Sequence, residues 1–303
     1  MSKKYLVTGG AGFIGTNLVW ALHNKGHRVV VVDDLSAGDR KRLPEEVEFH
    51  QNDICDTDAL TALCKAVDVV VHLAALPRVQ FSIEHPFETQ RVNMTGTLSV
   101  LEAARMAGVR RVVFAGSSAV YGDHEEMPLR EDLPPRPKSP YALHKLMGEH
   151  TMRLWHELHG IETVTLRFFN VYGPHMDPEG AYALVVGKFL KLRQEGKPLT
   201  ICGDGSHTRD FVHVSDVAQA LIAAAERQSV GNGEVINIGS GESTSVGTLA
   251  QLIGGEVDYQ PPRIEPKHTR ADTTEAQALL DWVPRKSLNE AIAELKEEFG
   301  ITA

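Results

Sequence analysis

Tyr141 and Lys145 stand four residues apart in the stretch YALHK. On a helix that spacing puts both side chains on one face. A phenol ionises near pH ~10 and is a poor base at neutrality, but an ammonium beside it favours the phenolate and lowers that value. The pair is therefore a candidate proton acceptor with its activating charge. Upstream, AGSSAVYG brings the hydroxyls of Ser117 and Ser118 to the end of an apolar, strand-like run. In parallel α/β sheets the carboxyl ends of the strands are where ligands bind.

A second constellation lies near the start. Gly9, Gly12 and Gly15 separate the apolar run YLVT from the amphipathic run FIGTNLVWAL. Glycine at these places permits a tight turn, the close approach of a pyrophosphate to the backbone, and close packing of helix on sheet, while the helix N-terminus offers donors to phosphate. The next apolar run, RVVVVDD, ends in Asp33, about twenty residues on, where a carboxylate accepts both hydroxyls of an adenosine ribose. Strand, glycine turn, helix and acid together predict a dinucleotide site. The acid repels a 2′-phosphate, which selects NAD over NADP. Asp34, its neighbour, is the second candidate for the ribose contact.

These residues need a frame. Short β-branched runs (YLVTG, RVVVVDD, VEFHQND, VDVVVHLAA, RVVFAGSS, TVTLRFFN) alternate with helical patterns that start near Gly12, Thr57, Pro86 and Pro140. That alternation predicts an α/β fold, a doubly wound Rossmann sheet with helices on both faces. After Asn170 the pattern turns irregular, with a loop, a helix over LVVGKFLKLRQEG and a turn-rich passage. SDVAQALIAAAERQ and EVINIGS read as a helix and a strand that return to the sheet, and two helical stretches close the chain. The expected division is a dinucleotide-binding domain over residues 1–169 plus about 211–238, and a smaller, discontinuous substrate-binding domain over 170–210 and 239–303.

Bulk properties narrow the classes. The 303 residues suffice for a full core, and 42% hydrophobic with 23% charged residues is an ordinary globular balance. A net charge of -9 argues against nucleic acid, whose binding depends on clustered Lys and Arg. The opening MSKKYLVTGG runs straight into a strand pattern with no signal core. No stretch reaches the roughly 18 apolar residues of a membrane span. Cys55, Cys64 and Cys202 are odd in number and lack CxxC spacing, so the expectation is a cytoplasmic protein with free thiols. His72, His175 and His213 have no metal-ligand spacing, and no metal is expected.

The glycine loop, VDDLSAG, NDI, HLAA, GSSAVYG, YALHK, RFFNVYGP and GDGSHTRDFVHV together resemble the extended short-chain dehydrogenase/reductase superfamily. Within it the chain is most similar to the NAD-dependent epimerases and dehydratases of nucleotide sugars, above all the UDP-glucose (UDP-galactose) 4-epimerases. The likeness runs almost from end to end. It implies that Phe13 and Ile14 flank the dinucleotide loop, that Asp53 and Ile54 border the adenine, that Leu73, Ala74 and Ala75 line the cofactor, and that Asn93 sits near the nicotinamide half with Tyr141 and Lys145. Asp53 also reads as an acid of a helix N-cap region.

By the same resemblance the catalytic hydroxyl aligns with Ser117, Ser118 being the alternative, and Tyr141 takes the proton of the sugar 4-hydroxyl. A 4-keto sugar then turns and is reduced on its other face. Sister dehydratases and decarboxylases carry a carboxylate just after the catalytic hydroxyl; here Ser118 and Ala119 stand there. For the nucleotide sugar the resemblance implies Asn170, Arg209, Arg263, Thr269 and Asp272, with Thr269 as a small gate residue that admits a 2-acetamido group. Asn170 also reads as a loop residue satisfying backbone, and Asp272 as a helix cap. Arg263 lies one residue closer to the following Ala271-Asp272 than the family pattern has it, and Arg78 is a cation able to reach a sugar carboxylate. The readings left beside a UDP-glucose 4-epimerase are a UDP-glucuronate 4-epimerase, another sugar-nucleotide dehydratase or decarboxylase, and a catalytically silent NAD-binding protein. The family habit further implies a homodimer through HPFETQRVNMTGTLSVLEAARM and PYALHKLMGEHTMRLWHEL.

Overall fold

Runs such as Val29–Val32 and Val69–Val71 show no alternation of apolar and polar residues, the pattern of strands buried on both faces of a parallel sheet. The computed structural model describes residues 2–178, 184–262 and 267–301 and places these runs at the centre of such a sheet. In chain order the first part contains β1 (Lys4–Thr8), α1 (Phe13–Asn24), β2 (Arg28–Asp33), β3 (Glu48–Gln51), α2 (Thr57–Leu63), β4 (Val69–His72), α3 (Val79–Glu84), α4 (Pro86–Gln90), α5 (Thr97–Met106), β5 (Arg111–Ser117), α6 (Pro140–His159) and β6 (Glu162–Phe168). The remainder contains β7 (Asn170–Tyr172), α7 (Val185–Gln194), β8 (Leu199–Cys202), β9 (Thr208–Arg209), β10 (Phe211–His213), α8 (Val214–Glu226), β11 (Asn232–Ile238), β12 (Thr244–Ser245), α9 (Val246–Ile253), β13 (Val257–Gln260), α10 (Thr274–Leu280) and α11 (Leu288–Glu298).

Seven parallel strands form one sheet in the order β11-β6-β5-β4-β1-β2-β3. All six strand-like runs of the first 170 residues are in it, and the EVINIGS segment adds the seventh as β11. The two-residue period of the strands divides the core. Tyr5, Val7, Val29, Val31, Val69, Val71 and Val113 join one apolar cluster with α1 and α8. Leu6, Val30, Val32, Val70, Val112 and Phe114 join another with α2, α5 and α6. This is the doubly wound Rossmann architecture predicted from the sequence. The helical pattern from Pro86 is one departure, since π-helical turns at Arg91–Gly96 separate α4 from α5. The short α3 is another element the periodicity did not mark.

Strand order reverses beside β1. The chain winds outward through β2 and β3, then crosses to β4 on the other side, which leaves a crevice at the carboxyl ends of β1 and β4. Gly9, Leu73 and Ser117 follow or end β1, β4 and β5 and so reach the same edge of the sheet. A third cluster, with Phe189, Leu199, Leu249, Ile253, Ile292 and Leu295, packs α7, α9 and α11 around β8. Among the described residues no helix is long and apolar enough to cross a membrane.

Candidate active site

The glycine loop is shaped by what it excludes. Gly9 has φ +68°, and a Cβ there would stand 2.7 Å from the Ala74 nitrogen; on Gly15 it would stand 2.1 Å from the Gly9 carbonyl oxygen. Gly12 caps α1 in extended conformation, with no side-chain oxygen occupying the helix N-terminus. Phe13 and Ile14 turn inward against the core beneath. Asp33, 7% exposed, accepts from Ala11 N at 3.0 Å and Leu35 N at 2.9 Å. Burial pushes its carboxyl up, and these two amides pull it back only in part. A carboxylate has about four acceptor positions, so acceptor capacity is left for a ribose. Asp34 is exposed and turned to Ser36, whose N–H and Oγ–H it accepts. Of the two acids, Asp33 is the one that faces the loop. A backbone that no Cβ can enter, an open helix N-terminus and an acid at the next strand end fit a dinucleotide.

The segment after β4 is held by a chain of buried hydrogen bonds. Ala74 N–H donates to Thr8 Oγ1 (3.3 Å), which leaves the Thr8 proton free for His72 Nδ1 (2.8 Å). Thr97 Oγ1 donates to the Asn93 carbonyl (2.8 Å) and accepts from His72 Nε2–H (3.0 Å). These partners assign a neutral imidazole protonated on Nε2. Burial, with Lys145 nearby, lowers its pKa to about 3. The Asn93 side chain completes the frame, accepting from Leu76 N (2.8 Å) and donating to Leu76 O (3.1 Å). Leu73, Ala74 and Ala75 are left half-buried at the crevice. Ile54 is buried against Gly96, where a Cβ would come within 2.4 Å of Ile54 Cδ1. Asp53 accepts from Cys55 N (2.8 Å) and Arg91 Nη1 (2.7 Å). It is not a helix cap; Asp56 caps α2 by accepting from Ala59 N.

Two elements bring the proton-transfer candidates together. Ser139 accepts from Ala142 N at 3.1 Å and starts α6, with Pro140 in its first turn, so that Tyr141 and Lys145 share a face over β5. Ser117 Oγ accepts from Ala119 N (3.2 Å), and its hydroxyl acts on the Tyr141 phenol, favouring the phenolate. Ser117, rather than Ser118 in the following 3₁₀ turn, is thus the hydroxyl at Tyr141. Lys145 Nζ donates to the Ala115 carbonyl (2.7 Å) and lies 6.0 Å from the Tyr141 ring centroid. Burial lowers its pKa to about 8, against the pull of Glu149. For Tyr141 burial dominates as well and raises the phenol, Ser117 acting the other way. The lowering expected from YxxxK spacing is therefore not supplied by the protein's own groups.

On the other side of the crevice a single carboxylate gathers the candidates. Asp210 is fully buried and accepts from Ser240 N (2.6 Å), Ser240 Oγ (2.8 Å), Gly241 N (3.0 Å) and Ala271 N (2.9 Å). Its backbone carbonyl accepts from Asn170 Nδ2 (3.1 Å) and its N–H donates to Thr269 Oγ1 (3.3 Å). Arg209, the adjacent residue, is half-buried and donates to Thr208 O (2.9 Å). Asn170, Arg209 and Thr269 are thereby brought together, and Asn170 does satisfy loop backbone. Asp272 lies just beyond and accepts from Thr274 N (2.9 Å), while the cap position of α10 is Thr273. Arg263 lies outside the described residues, as do residues 179–183 of the loop after β7. Arg78 is paired with Asp177 at 3.7 Å. Asp210 was missed in the sequence, where it is one acid in TRDF with no local mark of burial. For His72 the sequence showed only the absence of metal-ligand spacing.

A sequence model described as the NAD dependent epimerase/dehydratase family matches residues 5–239. A UDP-glucose 4-epimerase of Mycolicibacterium smegmatis is 40% identical over an alignment covering 98% of each chain. The structure of UDP-glucose 4-epimerase with UDP-glucose from Thermotoga maritima superposes with a TM-score of 0.93 at 35% identity, covering 98% of each chain. That of a UDP-N-acetylglucosamine 4-epimerase from Methanobrevibacter ruminantium, in complex with UDP-N-acetylmuramic acid, gives 0.92 at 33% identity over 98% of this chain and 99% of the other.

The His72 imidazole sets a pH dependence of stability. Its pKa is 6.5 unfolded and about 3 folded, so below pH 6.5 only the unfolded chain takes the proton, and stability falls as pH falls through this window. In His72→Gln the loss of unfolding free energy between pH ~7 and pH ~4.5 should shrink by roughly 2 kcal/mol, measured by urea denaturation at both pH values. An equal loss in both proteins would refute the neutral assignment.

Proposed function

The chain belongs to the NAD-dependent epimerase/dehydratase family, and on that premise we propose that it is a nucleotide-sugar 4-epimerase that interconverts UDP-glucose and UDP-galactose and also accepts their N-acetyl forms. Its cofactor is NAD. The observation that carries this reading is the convergence of Ser117, Tyr141 and Lys145 at the carboxyl end of β5, with Ser118 and Ala119 rather than a carboxylate following the hydroxyl.

In this reading Gly9, Gly12, Phe13, Ile14 and Gly15 cradle the pyrophosphate at the start of α1, and Asp33 accepts the adenosine ribose. Asp53 and Ile54 border the adenine, and Leu73, Ala74, Ala75 and Asn93 line the rest. NAD when bound supplies reversible hydride acceptance and a positive ring, the charge that the buried phenol otherwise lacks. Tyr141 takes the proton of the sugar 4-hydroxyl, Ser117 beside it orients that hydroxyl, and Lys145 holds positive charge against the phenolate. C4 of the sugar becomes a ketone, the sugar turns, and Tyr141 returns the proton to the oxygen once the other face is reduced. Oxidation and reduction cancel over a turnover. Residues 1–169 with 211–238 hold the dinucleotide; 170–210 with 239–303 hold the UDP-sugar through Asn170, Arg209, Arg263, Thr269 and Asp272.

Engagement of Arg78 by Asp177 supports a neutral hexose over a glucuronate, whose carboxylate would have to compete for that cation. Retention of both Tyr141 and Lys145 supports turnover over a silent binding role. A cytoplasmic setting belongs to the same reading and suits the free thiols of Cys55, Cys64 and Cys202. So does a homodimer: Ile83, Phe87, Met106, Leu143, Met147 and Leu158 are exposed apolar side chains on α3, α4, α5 and α6, and Phe87 is 88% exposed. Such a surface is costly to leave in water.

Removing only the acid-base oxygen, as in Tyr141→Phe, should lower turnover about a hundredfold or more while the fold is kept; near-normal rates would refute the proposed base. Specificity constants should be comparable for UDP-glucose and UDP-N-acetylglucosamine and clearly lower for UDP-glucuronate, and a preference for the glucuronate would overturn the substrate assignment. Light scattering should give twice the chain mass, and Phe87→Glu should shift it toward the monomer.

A further inference from the structure

Lys145 is only 4% exposed, and an ammonium that deep loses its charge unless something holds it. Its Nζ has the Ala115 carbonyl at 2.7 Å and the Phe114 ring at 4.7 Å, neither of which carries a negative charge. One turn further along α6 stands Glu149, also 4% exposed and on the same helical face. Its Oε1 lies against Gly116, where a Cβ would come within 3.3 Å, so the carboxylate sits beside the strand segment that holds both the Lys145 acceptor and Ser117. Arg167 of β6 fixes it there with two hydrogen bonds, Nε to Oε1 at 3.0 Å and Nη2 to Oε2 at 2.8 Å. The Arg167 guanidinium is in turn stacked 4.7 Å over the buried Tyr121 ring. A buried ion pair is weak evidence for stability, because apolar replacements of similar volume often do as well. Its position suggests another use.

We propose that Glu149, clamped by Arg167, is a positioning residue of proton transfer: its carboxylate keeps the Lys145 ammonium charged beside Tyr141 and so sets the alkaline end of the working range. The inference rests on Tyr141 and Lys145 being the proton-transfer pair, but not on which sugar is turned over. The charged and titratable groups that face Lys145 are Tyr141 and Glu149 on its own helix and His72 from β4. His72 is neutral, with its pKa lowered to about 3 by burial and by Lys145. Tyr141 is held protonated by burial. Arg167 of β6 is bonded to Glu149 and is not among the charges that act on Lys145. Glu149 is left as the anion acting on Lys145, opposing the burial that brings it down to about 8. A lysine is charged below its pKa, so without the carboxylate the charge is lost at lower pH.

The test reads Lys145 directly. The full chain is labelled with lysine carrying 13C at Cε and titrated by NMR without added dinucleotide, the Lys145 signal being assigned by its loss in Lys145→Met. In Glu149→Gln the Lys145 midpoint should move down by about one pH unit or more. The alkaline limb of kcat/KM with UDP-glucose and NAD should move in the same direction, and Glu149→Asp should recover part of both. A folded Glu149→Gln protein whose Lys145 midpoint matches the native one overturns the proposal. Should that variant not fold, Lys145 is read in Arg167→Met and in Arg167→Met with Glu149→Gln, which differ only in the carboxylate; a lower midpoint in the second supports the proposal and equal midpoints overturn it. A moved midpoint in a protein that turns over no UDP-sugar supports this inference and refutes the epimerase reading instead.

Discussion

The backbone that leaves β1 passes so close to the backbone that leaves β4 that Gly9 has no room for a side chain at the contact. A methyl group on Gly9 would stand 2.7 Å from the Ala74 nitrogen, well inside van der Waals contact. This approach joins the two strands at which the sheet order reverses, and the rest of the crevice is arranged around it. Asp33 pins the near side by accepting from Ala11 and Leu35. His72 pins the far side through Thr8 and Thr97. Buried amides and hydroxyls must find partners, and here the partners are those that hold the loop open to a ligand.

A comparable clasp organises the opposite wall. Asp210 takes four donors from two other segments of the chain, and a methyl group on Gly239 would stand 2.8 Å from its Oδ2. The carboxylate is buried beyond the reach of any ligand, so its effect is exerted through its neighbours, Arg209 on one side and Thr269 across from it. Both walls thus follow one scheme: a buried acid is satisfied mainly by backbone N–H groups, which fix the backbone beside the crevice.

Burial works against the chemistry at the centre. It raises the Tyr141 phenol and lowers the Lys145 ammonium, moving both toward their neutral forms. A site dry enough to make charges strong is also one that disfavours forming them. Compensation comes from groups placed around the pair: Ser117 on the phenol, Glu149 on the lysine, and the positive ring of the cofactor in the family's chemistry.

Much of this was legible in one dimension. A strand is marked by a two-residue period and a helix by one of 3.6, so runs such as VVVV and AGSS, the glycines of the first turn, and the pairing of Tyr141 with Lys145 are local features that a sequence carries openly. Such local signals were enough to mark the sheet, the glycine turn with the acid after the next strand, and the helix that carries Tyr141 and Lys145. The contacts between distant segments are set by folding alone. Nothing in TRDF marks Asp210 as the buried centre of a clasp reaching residues 240 and 271. Nothing local separates Ser117 from Ser118, or joins Glu149 to Arg167, until β5, β6 and α6 are packed together. Burial and hydrogen-bond partnership are properties of the assembled chain, and they decide which of several chemically equal residues faces the site.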